Sequence, residues 1–277
     1  MARDCRHTGI KNSFDYSRYM KLARVMEVDG ELQICMRDKE ALNLYNMFKT
    51  RYRLQKSAYQ HKKVACLDLM VAQALKNADK HILIQGKKIS ECQDNVEALS
   101  KLTDYILQKI KNAKIDEAQN ETPELREKIK EMKKAKEIIN SIFSRKFFTC
   151  VYESDPLEPQ AIKQFAEKPQ VQEKIEKMIR EQYEGTGVPE FFVELSYIDF
   201  GMMQENPLTR LKVYCKEDPH TARQLTKDET STIMEPSVYD EVVVRIFSPE
   251  LDTGDLKKHA EKVVIILNQA AITSQGN

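Results

Sequence analysis

Apolar side chains recur at three- and four-residue spacing through most of the first 140 positions and shift to short, dense runs later. That pattern predicts helices first and strands mainly afterwards. Ala2–His7 reads as a short helix stopped at Thr8-Gly9, and Asn12-Ser13 offers a cap for another over Phe14–Leu22. Arg24–Asp29 and Glu31–Arg37 read as two strands joined by the hairpin dipeptide Asp29-Gly30. Arg37–Lys63 contains no glycine or proline, and with Asp38 as its cap it predicts one helix of about seven turns. On that helix Leu44, Phe48 and Tyr52 form an apolar stripe, and Arg51, Gln55, Tyr59 and Lys62 share a second face.

The helical pattern resumes through Leu67, Met70, Val71, Ala74 and Leu75, followed by a connector at Ile82–Lys88. Val96–Ile110 predicts a single amphipathic helix with Leu99, Leu102, Tyr105, Ile106 and Ile110 on one side. Lys111–Thr122 is polar and unpatterned, an expected loop, and Pro123 opens a charged helix to about Phe143. Its apolar positions are Leu125, Ile129, Met132, Ile138, Ile139 and Ile142.

From Phe147 the expected strands are Phe147–Tyr152, Phe191–Ile198, Leu211–Cys215 and Val242–Phe247. Helices are expected near Ala161–Phe165, Val171–Gln182 and Leu256–Ala271, with loops at Asp155–Pro159 and Gly185–Pro189. The expected fold is mostly α, with an α+β C-terminal lobe carrying a small antiparallel or mixed sheet. The expected division is 1–110, a charged loop and helix over 111–145, and the lobe over 146–277.

Composition narrows the classes. Across 277 residues, 41% hydrophobic and 31% charged content suits a globular chain. A net charge of +1 supplies no global attraction for polyanions, so affinity for nucleotides or nucleic acid must come from local patches. Without an eighteen-residue apolar run or a signal-type start, the chain reads as intracellular, with no membrane partner. Cys5, Cys35, Cys66, Cys92, Cys150 and Cys215 form no C-x-x-C pair and read as reduced thiols. The five histidines are isolated, so no metal site is expected in these residues. No P-loop, dinucleotide glycine motif or nucleophile elbow is present.

Two constellations remain. Asp4 and His7, with Asp15 and Arg18 on the next helix, are at helical spacing and read equally as surface pairs. The other combines Arg37, Lys39 and Asn43 with Arg51, Tyr59, Gln60, His61 and Lys62. Arginine forks, lysine point charges and tyrosine faces suit a nucleoside triphosphate better than a duplex, though a solvated basic face has the same composition.

The segment Ala2–Lys62, together with Lys101–Ile110 and Tyr197–Lys216 (YIDFGMMQENPLTRLKVYCK), resembles the C-terminal part of the catalytic core of vertebrate SAM-and-HD-domain deoxynucleoside triphosphate triphosphohydrolases. The resemblance implies an HD-type helical core and hydrolysis of a dNTP to the deoxynucleoside and triphosphate at a divalent metal of the zinc, iron or magnesium type. It further implies a tetramer assembled by GTP or dGTP and dNTP effectors, control of dNTP pools with antiviral and DNA-repair consequences, and a nuclear or cytoplasmic location. By matching position, Asp4, Arg51, Tyr59 and Gln60 are expected at the substrate. Asp15, Arg18, Arg37, Lys39, Asn43, His61, Lys62 and Lys216 are expected at an effector dNTP, and Arg145 at the guanine activator.

Ser57 and Thr149 stand where the family carries cationic nucleotide contacts, and Leu22 where it carries an aromatic. The family's metal-binding and acid/base residues are expected upstream of Met1, so this chain is expected to bind no metal and to be inactive alone. The alternatives are a non-catalytic nucleotide-binding or oligomerisation module, and a binder of single-stranded nucleic acid.

Overall fold

The computed structural model describes residues 1–114, 122–157, 168–183, 187–226, 229, 236–250 and 253–275. The helix expected at Ala161–Phe165, most of the loop expected at Lys111–Thr122 and two residues each of the loops expected at Asp155–Pro159 and Gly185–Pro189 lie outside the described residues.

α1 (Ala2–Thr8) ends at Gly9 in the left-handed region, as its Thr-Gly stop predicts. α2 (Tyr16–Leu22) is capped by Asp15, whose carboxylate accepts from the Arg18 N–H, and not by the expected Asn12-Ser13 pair. Asn12 instead folds over Phe14, accepting from its N–H and donating to its carbonyl. β1 (Arg24–Val28) and β2 (Glu31–Arg37) form the expected hairpin. Asp29 and Gly30 have φ of 54° and 82°, the two positive values a two-residue I′ turn requires. One hairpin face, carrying Val25, Leu32 and Ile34, is exposed at 68%, 77% and 63%.

The single long helix is not formed. A 3-10 turn (Asp38–Glu40) leads into α3 (Ala41–Leu54), followed by a π turn (Gln55–Tyr59) and a new helix, α4 (Lys62–Ala78). Asp38 accepts only from the adjacent Lys39 N–H, so it starts the 3-10 turn and does not cap α3. At the break, Gln60 (φ −103°, ψ 19°) leaves helical geometry and His61 turns extended (ψ 137°). The His61 Nδ1 then caps α4 by accepting from Lys63 N at 3.2 Å. The common face expected for Arg51, Gln55, Tyr59 and Lys62 is therefore lost.

Val96–Ile110 also divides, into α5 (Val96–Lys101) and α6 (Ile106–Asn112). Ile106 and Ile110 are buried, while Leu99 and Tyr105 are exposed. α7 (Pro123–Phe143) forms as expected, with Thr122 as its cap. Met70, Ala74 and Ala78 of α4 meet Met132, Ala135 and Ile139 of α7 in the helical core, where small residues let the backbones approach.

β3 (Thr149–Glu153), β4 (Phe192–Asp199) and β7 (Asp240–Ser248) make an antiparallel sheet in the order β3-β7-β4. α8 (Lys168–Arg180) and α9 (Leu256–Gln275) share a second core with it, through Ile175, Ile179, Leu195, Val244 and Val263. The strand expected at Leu211–Cys215 is β5 (Lys212–Tyr214), and it joins a different sheet. It runs parallel to β2 in the order β1-β2-β5-β6, with β6 at Arg223–Gln224. The molecule is mostly α with α+β elements, and β5 ties the late part of the chain to the first hairpin.

Candidate functional site

Of the residues expected at the substrate, Asp4, Tyr59 and Gln60 gather around the break after α3. The Tyr59 hydroxyl donates to Asp4 Oδ2 at 2.5 Å, bringing α1 onto the π turn. That bond is the main reason the Asp4 carboxyl is held below the usual carboxylate range, and it pushes the Tyr59 phenol up. Gln60 is held at both ends of its residue: its side-chain oxygen lies 3.2 Å from Ser196 Oγ, and its carbonyl accepts from Arg245 at 2.9 Å.

Arg51 is held by Asp199. Its Nη1 donates to Asp199 Oδ1 at 2.8 Å and to the Asp199 carbonyl at 2.7 Å. Asp199 also accepts from the Gly201 N–H at 2.8 Å, so the guanidinium is clasped by a tight turn after β4. Gly201 has φ 115°, and a Cβ there would sit 3.7 Å from the guanidinium.

The residues expected at effector nucleotides fall into three places. Asp15, Arg18 and Asn43 meet at the start of α3. Asn43 accepts from Asp15 N at 2.8 Å and donates to its carbonyl at 3.0 Å, while Arg18 Nε reaches Glu40 Oε1 at 2.5 Å. Glu40, 1% exposed, also accepts from Asn43. Sequence reasoning missed this carboxylate, because its burial and its pairing with Arg18 are set by a partner 22 positions away.

Arg37 and Lys216 are brought together by the β2–β5 pairing: Arg37 registers with Tyr214, two positions before Lys216. Arg37 Nε is buried without a hydrogen-bond partner, and Lys39 and Lys216 are exposed.

The third place is a cleft of about 770 Å³ where Lys62, Lys63, Arg145 and Lys146 surround Phe147, Phe148 and Thr149. It brings the α4 start, with His61 as its cap, against the turn that follows α7. Arg145 takes φ 57° there, which swings the chain from α7 toward β3. Lys62 is only loosely paired, with Glu153 at 3.6 Å, and Lys63 lies 5.7 Å from the Phe147 ring centre.

Among the described residues no three His, Cys, Asp or Glu side chains gather as metal ligands. The metal that the resemblance implies therefore has no fitting ligand set in the described residues, and no chemical step is assigned through it. No helix among them is long and apolar enough to cross a membrane.

The chain is 35% identical over 265 residues to the deoxynucleoside triphosphate triphosphohydrolase SAMHD1 of Danio rerio, covering 92% of this chain and 40% of that protein. The Homo sapiens protein of the same name is 36% identical over 266 residues, covering 92% and 39%. A Dictyostelium discoideum homologue of that protein is 27% identical over 249 residues, covering 89% and 42%. This chain is a relative of the deoxynucleoside triphosphate triphosphohydrolases. It spans about two-fifths of the length of the curated relatives it matches. No protein-family model matches it.

The residues singled out by resemblance to this family are thus sorted by the structure. Asp4, Tyr59 and Gln60 come together; Arg51 is clasped by Asp199; and Lys62 meets Arg145. Asp199, Ser196, Glu153 and Arg245, which hold them, were not singled out. The signal for Arg245 was present as a lone charge inside the apolar run Val242–Phe247.

Proposed function

We propose that this chain carries nucleotide-binding and assembly functions of a deoxynucleoside triphosphate triphosphohydrolase, and that the described residues do not hydrolyse dNTPs by themselves. The observation that carries this reading is the cleft of Lys62, Lys63, Arg145 and Lys146. Four cations beside two phenylalanines match a triphosphate with an attached base, and each charge-assisted contact contributes about 1.5–3 kcal/mol. The volume lies within the roughly 300–1,000 Å³ typical of small-molecule sites. Thr149 removes one cation that the family carries, while Lys63 and Lys146 keep the cleft basic.

The same geometry supports a reading of oligomerisation. Asp15, Arg18 and Asn43 lie at the start of α3, and Lys62 lies beyond its end. The stretch from Asn43 to Leu54 alone sets them about 17 Å apart, and the π turn adds to that separation. An effector touching both sets draws them from two copies of the chain, in keeping with a nucleotide-assembled homo-oligomer.

Calorimetry with dGTP and GTP, paired with sedimentation, tests the binding and assembly. Saturable binding with a rise in mass is the expected result, and absence of binding at low salt overturns the reading. Release of triphosphate from dGTP by the purified chain with Mg²⁺, Mn²⁺ or Fe²⁺ would overturn the inactivity. Preferential, steeply salt-dependent binding of single-stranded DNA would favour the nucleic-acid reading instead.

A further inference from the structure

The break between the π turn and α4 is secured from the sheet by one guanidinium. Arg245, in the middle of β7 and 5% exposed, donates from Nη1 to the Gln60 carbonyl at 2.9 Å and to Ser196 Oγ at 2.8 Å. The Gln60 carbonyl belongs to a residue whose backbone leaves helical geometry, so a side chain supplies the donor that a continued helix would have supplied. Ser196 Oγ lies in turn within reach of Gln60 Oε1 at 3.2 Å and Glu194 at 3.0 Å.

The same guanidinium is incompletely satisfied. Its Nε is buried with no partner, and Glu153 and Glu194 stand at 3.6 and 3.5 Å, ion-pair but not hydrogen-bond separation. Glu153 is divided between Arg245 and Lys62, at 3.6 Å from each. Lys62 lines the basic cleft, as does the Cys150 thiol. Burial pushes that thiol up, Glu153 adds to the effect, and Lys62 and Arg245 oppose it.

We propose that Arg245 is a positioning residue that fixes the Tyr59–Gln60–His61 break, and that Glu153 makes this hold responsive to anions in the cleft. A polyphosphate drawing Lys62 away from Glu153 leaves that carboxylate to Arg245 alone. The guanidinium then shifts its balance between Glu153 and the Gln60 carbonyl. Cleft occupancy is thereby transmitted, through two side chains, to the residues expected at the substrate. The first half stands on the geometry of the break, and the second rests on the cleft being a polyphosphate site.

Hydrogen exchange on the full chain tests both halves, with inorganic tripolyphosphate as the probe. Without anion, Arg245→Gln should speed exchange of the amides at 60–65 by about ten-fold or more while the middle of α7 is unchanged, and Arg245→Lys should recover part of the protection. Uniform acceleration across the chain, or none at 60–65, overturns the positioning role. Ser196→Ala, a milder change, should give a smaller effect confined to the same amides. With tripolyphosphate, the wild-type chain should change its protection at 59–65. Glu153→Gln should bind the anion roughly two- to five-fold tighter, the scale of one exposed ion pair, yet lose that response. An undiminished response in Glu153→Gln overturns the coupling alone. A wild-type chain that does not bind tripolyphosphate overturns the cleft reading and the coupling with it, and leaves the Arg245 result to stand on the anion-free exchange.

Discussion

Arg51 and Lys62 lie eleven positions apart on what reads as one basic helix, yet the structure treats them in opposite ways. Arg51 is clasped at 2.7 and 2.8 Å by the carbonyl and carboxylate of a single residue, Asp199. Lys62 has one carboxylate at 3.6 Å and opens on a cleft with three other cations. A guanidinium held by charge-assisted bonds contributes to the fold, whereas a loosely paired ammonium among like charges is available to an anion. Cationic residues predicted to touch phosphate are thus separated by how completely the protein itself satisfies them.

The sharpest way to break this comparison is the double substitution Lys62→Ala with Arg145→Ala. Loss of two charge-assisted contacts predicts roughly 100-fold or greater weakening of dGTP or tripolyphosphate binding, read by calorimetry, with the melting temperature nearly unchanged. Binding of undiminished strength would remove the cleft from consideration. Arg51→Ala should do the reverse. It leaves the Asp199 turn without its guanidinium and costs about 1–2 kcal/mol in denaturant unfolding, against less than about 0.5 kcal/mol for Lys62→Ala. Equal stabilities for the two variants would show that the clasp contributes nothing.

The smallest effect concerns Asp4. Its carboxyl is depressed chiefly by the Tyr59 hydroxyl, so the Asp4–Tyr59 contact stabilises the fold fully above the ordinary carboxylate pKa. That contribution is lost as pH falls through the depressed folded value. Tyr59→Phe should move the Asp4 titration, followed by carboxyl-carbon NMR, back up toward the ordinary range. An unmoved midpoint would mean that Arg3 and the N-terminus, and not Tyr59, hold it down. Above pH 10 the same bond should delay Tyr59 ionisation relative to exposed tyrosines, visible in the ultraviolet titration.

Glycine and proline punctuation was legible, while the caps of α2 and α3 fell on other residues than those expected. Asp29-Gly30 announces its turn, Gly9 its helix stop and Pro123 its helix start, and each forms. The break at Gln60 was not legible, because no residue in Arg37–Lys63 forbids a continuous helix; the competing bonds come from Ser196 and Arg245, more than 130 positions away. Likewise Val213 and Tyr214 read plainly as strand, but only the pairing with Met36 and Arg37 reveals which sheet receives them. In Val96–Ile110 the apolar spacing persists across a break at Leu102–Tyr105, so periodicity alone overstates the helix. At the candidate site, the resemblance supplied the residues expected to face ligand, and the structure supplied the carboxylates that compete for them.

The π turn at Gln55–Tyr59 has a consequence for how this helix tolerates change in length. It accommodates one more residue per turn than α geometry, and each residue of an α-helix advances by about 100°. Deleting a single residue between Gln55 and Ala58 would let the turn relax into α-helix without disturbing α3 before it. Because five π residues and four α residues both complete about one turn, Tyr59 and Gln60 would keep nearly the same angular position, toward Asp4 and Ser196. The π turn therefore stores one residue of slack: a deletion there is absorbed, whereas the same deletion inside α3 would turn everything beyond it by about 100°.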